Sequence, residues 1–162
     1  MKNEVIIRDI TESDDLKMAS IIRACLEEFG AAKPGTVYYD ATTDCLHTLF
    51  QKERSRYFVI TIDGEVVAGG GIYPTAGLPD DTCELVKMYV SKEARGKGLA
   101  TRLLRSCIDE AKKNGYKKMY LETMPELTHA IALYKKNGFT FIPAQLGCSG
   151  HGGCDLFMMK EI

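Results

Sequence analysis

Arg95-Gly96-Lys97-Gly98-Leu99-Ala100 follows an apolar run, Leu85-Val86-Lys87-Met88-Tyr89-Val90, and opens an amphipathic stretch that continues to Ala111. Two glycines and two cations therefore stand where a helix begins. The first amides of a helix have no partner within it, and the helix dipole adds partial positive charge at that end. Glycines let a ligand come close to the backbone because no Cβ intervenes. A strand, a phosphate-sized cradle and a helix in series leave few folds open, and the cradle suits a pyrophosphate. The loop is not a Walker phosphate loop, since GxxxxGK(S/T) is absent, nor a dinucleotide fingerprint, since GxGxxG is absent.

The remaining elements follow from periodicity and turn residues. Val5-Ile6-Ile7 reads as a first strand, and Thr11 with Asp14 three residues later marks a helix start. Leu16, Ala19, Ile22, Leu26 and Phe29 share one helical face, and Gly30 stops the helix. Residues 31–43 form a turn-rich loop, and residues 45–53 a weaker second helix. Residues 57–62 and 65–73 are strands joined at Asp63-Gly64, a strong hairpin signal. Gly69, Gly70 and Gly71 in the second of them mark a close backbone approach. Residues 83–90 are the fourth strand. The helix after the glycine loop buries Leu99, Leu103, Leu104, Cys107, Ile108 and Ala111 and ends at Asn114-Gly115. Residues 118–122 form a strand, 127–136 a helix ending at Asn137-Gly138, and 139–141 with 156–159 the last two strands. This order is α+β: a mixed, mostly antiparallel sheet flanked by helices, with a βαβ core, and residues 1–162 read as one domain.

Composition excludes several function classes. A net charge of −1 provides no field to draw in nucleic acid or an anionic membrane, so neither is an expected partner. No apolar run reaches the roughly 20 residues that span a bilayer. The first eight residues are too short and too charged for a signal peptide. Six cysteines without a CxxC pair point to a reduced, cytoplasmic setting.

About 30 residues beyond the glycine loop stands Ala130-Ile131-Ala132-Leu133-Tyr134-Lys135-Lys136-Asn137-Gly138-Phe139. With the loop, this resembles the GNAT superfamily of N-acetyltransferases. Arg95, Gly98 and Ala100 fill the fixed positions of the family's (Arg or Gln)-x-x-Gly-x-(Gly or Ala) loop. Ala130, Leu133, Tyr134, Gly138 and Phe139 match its A-x-x-L-Y-x-x-x-G-F ending. The element order extends the resemblance over nearly the whole chain.

The resemblance implies acetyl-CoA as acetyl donor and direct transfer to an amine, with no covalent enzyme intermediate. Residues 95–100 (Arg95, Gly96, Lys97, Gly98, Leu99, Ala100) would hold the pyrophosphate, and the backbone of Met88, Tyr89 and Val90 the pantetheine arm. An amide near Met88 would polarise the thioester carbonyl. An alkylamine with a pKa of about 10 must lose a proton before attack, and Glu84 is the candidate general base, directly or through water. Tyr134 stands where the family often has a tyrosine that protonates the departing thiolate. Leu127 replaces an asparagine that many members use to touch CoA, so that contact is lost or supplied elsewhere, with Thr128 a candidate.

Each assignment has a structural alternative. Tyr134 also fits a packing tyrosine at a helix–strand junction, and Glu84 an exposed carboxylate or an ion pair. Tyr38 and Tyr39 either line the acceptor pocket or pack on the sheet. His151 lies in the glycine-rich segment 147–154 and is a candidate acceptor-pocket group. Cys148, His151 and Cys154 offer three soft ligands but no obvious fourth, so no metal is expected. His47 and His129 attract no functional assignment. The expected activity is acetyl-CoA-dependent N-acetylation of a small-molecule or peptide amine. The alternative is a non-catalytic acyl-CoA-binding regulatory or sensor module. Antiparallel sheet edges allow a homodimer.

Overall fold

The computed structural model describes residues 3–162, so Met1 and Lys2 of the N-terminal reading lie outside it. Seven strands form one sheet in the order β1-β2-β3-β4-β5-β7-β6. The strands are β1 Val5–Asp9, β2 Arg56–Ile62, β3 Glu65–Tyr73, β4 Thr82–Val90, β5 Lys118–Thr123, β6 Thr140–Ile142 and β7 Leu156–Glu161. The helices are α1 Asp15–Glu28, α2 Leu46–Leu49, α3 Leu99–Lys113 and α4 Thr128–Lys136. Every pair is antiparallel except β4 with β5, the two strands that flank α3, so the mixed sheet and its βαβ core are as the sequence predicts.

Alternation along the strands sends side chains to two faces. Phe58, Ile60, Ala68, Ile72 and Leu85 pack under Leu103, Leu104, Cys107 and Ala111 of α3. Tyr57, Val59 and Val66 pack under Met18, Ile22, Cys25 and Leu26 of α1 and Leu46 of α2. Leu103 and Leu104 are fully buried, each contributing roughly 1.5–3 kcal/mol by leaving water. The predicted capping box forms at the 3-10 turn Glu12–Asp14 that leads into α1, with the Thr11 amide donating to Asp14 Oδ2 at 2.8 Å.

Two sequence expectations change. Leu16 is 83% exposed, lying in the first turn of α1 beyond the packed stripe, while Met18, Ile21 and Cys25 join it. The second helix is only one turn, Leu46–Leu49, because residues 50–55 turn back to start β2.

Two irregularities open the centre of the sheet. Beyond Glu84↔Tyr120, β4 and β5 are no longer paired, although β4 runs on to Val90 and β5 to Thr123. The strands splay, and residues 85–90 lose their partner on that side. Opposite, β4 is bulged: Gly69 pairs with Tyr89 and Gly71 with Val86, so Gly70 faces both Lys87 and Met88. A Cβ on Gly70 would lie 2.8 Å from Met88 Cγ, the close approach the glycine run predicts. Lys87 takes φ of 51° at the bulge, a conformation costing about 1–3 kcal/mol in a non-glycine residue. The buried Tyr57 hydroxyl donates to the Lys87 carbonyl at 2.7 Å and holds it there.

Candidate active site

The splayed strands frame a cavity of about 520 Å³. It runs along β4 from Glu84 to the loop before α3. At about 3.3 Å per residue, the six steps from Glu84 to Val90 cover roughly 20 Å. One end is made of backbone and the other of charged side chains.

At the backbone end, Gly96 and Gly98 have φ of 78° and 73°, which L side chains adopt only under strain, and an added Cβ would meet nothing within 4 Å. Gly98 is the N-cap of α3, has no side chain capping it, and the first turn carries no acidic residue. The amides are therefore free for an anion, and the dipole favours one. Gly96, Gly98, Leu99, Ala100 and Thr101 line the cavity, while Lys97 is exposed and lies outside the lining. Arg95 is committed elsewhere. Its guanidinium pairs with Glu28 at 2.7 Å, donates to the Val90 carbonyl at 3.3 Å and stacks over Phe29 at 5.1 Å. It thereby fixes the loop to α1. Met88, Tyr89 and Val90 line the wall, with backbone unpaired towards β5. An uncapped helix start beside an unpaired strand edge fits the pyrophosphate and the amide-bearing arm of acetyl-CoA.

Tyr134 enters from α4, with its ring buried edge-on to Phe139 at 5.7 Å between centroids. Among the described residues its hydroxyl has no protein partner, and it lines the cavity. Burial raises its pKa, so it stays protonated through neutral pH. Leu127 also lines the cavity, whereas Thr128 does not.

At the charged end, Glu84 is 3% exposed. The Thr75 hydroxyl donates to its Oε1 at 2.5 Å, and among the described residues no protein donor reaches Oε2. Burial raises its pKa to about 7; Thr75 and Lys87 pull it down and the Glu122 charge pushes it up. Glu122, from β5, receives the Tyr120 and Ser149 hydroxyls and the Gln145 amide. Polar atoms of Glu84, Glu122 and His151 lie within 4.8 Å of one another. His151 Nε2 is 2.9 Å from Asp40 Oδ2, which also meets Lys87 Nζ at 3.3 Å, while Oδ1 accepts from the Thr42 amide and hydroxyl. Burial works to raise the Asp40 pKa, but His151, Thr42 and Lys87 together hold it well below the usual carboxylate range. Burial lowers the Lys87 pKa against the opposing pull of Asp40.

His151 thus lines the cavity, but Tyr38 and Tyr39 do not. They contact each other at 5.0 Å between centroids, Tyr38 donates to Glu27, and Tyr39 is 64% exposed. Their neighbours Val37 and Asp40 face the site instead. The C-x-x-H-x-x-C spacing does not converge among the described residues, because His151 meets two glutamates rather than the two cysteines. Asp40, Lys87 and Glu122 were not singled out from the sequence. A lysine within the apolar run Leu85–Val90 was the one available signal, and the bulge hid which face it occupied.

Residues 18–139 match the sequence profile of the Acetyltransferase (GNAT) family. The chain is 40% identical over 158 residues to "Uncharacterized N-acetyltransferase YjgM" of Escherichia coli, covering 97% of this chain and 95% of that one. An acetyltransferase structure from Streptococcus agalactiae superposes with a TM-score of 0.84 at 13% identity, covering 98% of each chain. YncA of Salmonella typhimurium, "a putative ACETYLTRANSFERASE" solved with acetyl-CoA, superposes with a TM-score of 0.75 at 20% identity, covering 97% of this chain and 93% of that one. The chain therefore belongs to the acetyltransferase (GNAT) family and is an N-acetyltransferase that takes its acetyl group from acetyl-CoA and passes it to an amine.

Proposed function

We propose that this enzyme acetylates the amine of a small molecule or a peptide, with Glu84 as general base and Tyr134 as general acid. The observation that carries the reading is Glu84: a buried carboxylate at the cavity end, one oxygen without a protein partner among the described residues, its pKa raised by burial to about 7. Such a group accepts a proton near neutral pH, where an ordinary carboxylate is too weak a base. Bound acetyl-CoA supplies an activated thioester. The amides at the start of α3 hold its phosphates, and Met88, Tyr89 and Val90 align its arm along β4. Tyr134, protonated and buried, gives its hydroxyl proton to the leaving sulfur. Glu84 and Tyr134 lining one cavity favour an enzyme over a sensor module, which would need neither. His151 faces the acceptor. The acetyl group passes directly from sulfur to nitrogen.

Two coarser expectations extend the reading. Six free thiols suit a cytoplasmic setting. Each of the edge strands β1 and β6 pairs on one side only among the described residues, which suits edge pairing in a homodimer. No described helix is long and apolar enough to cross a membrane.

The test is a mass-spectrometric acetylation screen over amino acids, amino sugars, alkylamines and peptides, with thiol release measured in parallel. Gly98→Glu is expected to abolish acetyl-CoA binding by calorimetry, because it puts bulk and negative charge at the helix start. Normal binding by that variant would remove the loop from the donor site.

A further inference from the structure

The charged end of the cavity carries an imbalance that bears on the acceptor. Three carboxylates, Asp40, Glu84 and Glu122, meet one ammonium, Lys87, and one imidazole, His151. Asp40 takes both. Its Oδ2 sits between Lys87 and His151, its Oδ1 is filled by Thr42, and Thr43 Oγ1 stands 3.3 Å from Lys87 Nζ. Lys87 is thus neutralised within the protein. Arg95, at the far end of the cavity, is neutralised by Glu28.

Glu84 and Glu122 have no such partner. Every hydrogen bond either receives comes from a neutral donor: Thr75 for Glu84, and Tyr120, Gln145 and Ser149 for Glu122. Neither is paired with a cation among the described residues. Glu84, nearly fully buried, lines the cavity, and among the described residues no protein donor reaches its Oε2. Anionic oxygens in a site of low dielectric demand a cation, and they repel an anion more strongly than water would allow.

We propose that the acceptor is a cationic amine with no carboxylate beside its reacting nitrogen, and that Glu122 together with Glu84 selects it. The ammonium form binds between the two glutamates. Glu84 then takes one of its protons and the neutral amine attacks the thioester carbon; as the C–S bond breaks, Tyr134 gives its hydroxyl proton to the sulfur and is reprotonated by the second proton that the nitrogen sheds. An α-amino acid would bring its carboxylate within a few ångströms of Glu122, with Lys87 and Arg95 already paired and, among the described residues, no other lysine or arginine in the lining to receive it. Amines on neutral or positively charged skeletons avoid that clash, which is selection by repulsion as much as by attraction. The proposal rests on the reading that places the acceptor at the Glu84 end.

The test compares matched acceptors at saturating acetyl-CoA and one pH: tyramine with tyrosine, isopentylamine with leucine, and 2-phenylethylamine with phenylalanine. The carboxylate-free member is expected to have a kcat/KM at least about tenfold higher in each pair that turns over. Glu122→Gln is expected to narrow that ratio by about fivefold or more while leaving acetyl-CoA affinity unchanged. Equal or better use of the α-amino acids by the wild-type enzyme overturns the proposal, and this result needs no variant to fold. A ratio unchanged in a folded Glu122→Gln protein overturns the role of Glu122. Thiol release from no amine of either kind, with acetyl-CoA bound normally, removes the acceptor site itself and so differs from a reversed preference.

Discussion

The donor end of the cleft is drawn from one continuous stretch, Met88 at the end of β4 through the first turn of α3, whereas the acceptor end is drawn from four separated segments carrying Asp40, Glu84, Glu122 and His151. The donor end works through backbone groups: free amides at an uncapped helix start and an unpaired strand edge. The acceptor end works through side chains whose charges are set by burial and by one another. A backbone site tolerates side-chain change and serves a donor that does not vary. A side-chain site can be retuned one residue at a time and serves an acceptor that does. If the two ends are separable, substitutions at one should leave the other intact.

The largest separation is expected for Glu84→Gln. The amide keeps the size of the side chain but cannot take a proton, so kcat/KM should fall by about 10³. Acetyl-CoA affinity, measured by calorimetry, should stay within about twofold, because no donor-end contact is altered. A parallel loss of donor affinity would join the ends. Tyr134→Phe comes next, with kcat lower by about 10² if the hydroxyl protonates the leaving sulfur. Unchanged turnover would return Tyr134 to a packing role against Phe139.

Asp40→Asn tests the acceptor end through stability. Lys87 would be left buried beside a neutral amide, at a cost of about 2 kcal/mol, less than for a fully buried pair because Asp40 is partly exposed. In a chain of this size the melting temperature should fall by about 4–8 °C. Adding Lys87→Met should recover much of that loss by removing the stranded charge. A single variant as stable as wild type would show that Asp40 does not support Lys87.

The same contrast explains what the sequence made legible. All seven strands and three of the four helices lie within a few residues of their predicted positions, because apolar periodicity, Asp63-Gly64 and the capping box are local signals. The cradle was legible for the same reason: Gly96 and Gly98 sit beside the helix they open. Asp40 and Glu122 were not, since nothing near either residue encodes that they meet through His151 and Glu84. Lys87 was hidden differently. The bulge at Gly70 breaks the alternation by which a strand residue is assigned to a face. Tyr38 and Tyr39 were candidates by their place in the segment after the first helix, yet the backbone turns Val37 and Asp40 inward instead.

Glu84 also predicts how stability and rate depend on pH. Its folded pKa of about 7 stands above its ordinary 4.5, so between these values the folded state holds a proton that the unfolded state has lost. Folding stability from this group is complete below pH 4.5 and declines as pH rises towards 7, by up to about 1.4 kcal/mol per unit. Asp40 has the opposite sign, since its lowered pKa contributes stability that is lost as pH falls below its ordinary 3.8. The two windows do not overlap, so the difference in stability between wild type and Glu84→Gln, followed by chemical denaturation between pH 5 and 7 (roughly the Glu84 range), reports Glu84. The slope should be shallower in Glu84→Gln. Over the same range the wild-type kcat/KM should rise and level off above about 7, so the enzyme gains activity as this contribution to stability is lost.

The smallest expected effect tests how the acceptor end is assembled. The loop before β7 is docked where the Gly153 amide donates to the Gly35 carbonyl at 2.8 Å. A Cβ on Gly153 would overlap the Pro34 carbonyl oxygen and lie 3.0 Å from Thr36 Cγ2. Gly153→Ala must therefore push the loop away, loosening His151 from Asp40 two residues upstream in the same loop. Because the loop is exposed and can yield, the acceptor KM should rise by only about three- to fivefold. Gly152, immediately before it, has nothing within 4 Å of a Cβ, so Gly152→Ala should change nothing. Equal effects from the two alanines would attribute the loss to loop stiffness rather than to docking. A fall in acetyl-CoA affinity with Gly153→Ala would mean that this glycine contact also supports the donor end, and the two ends would no longer count as separately built.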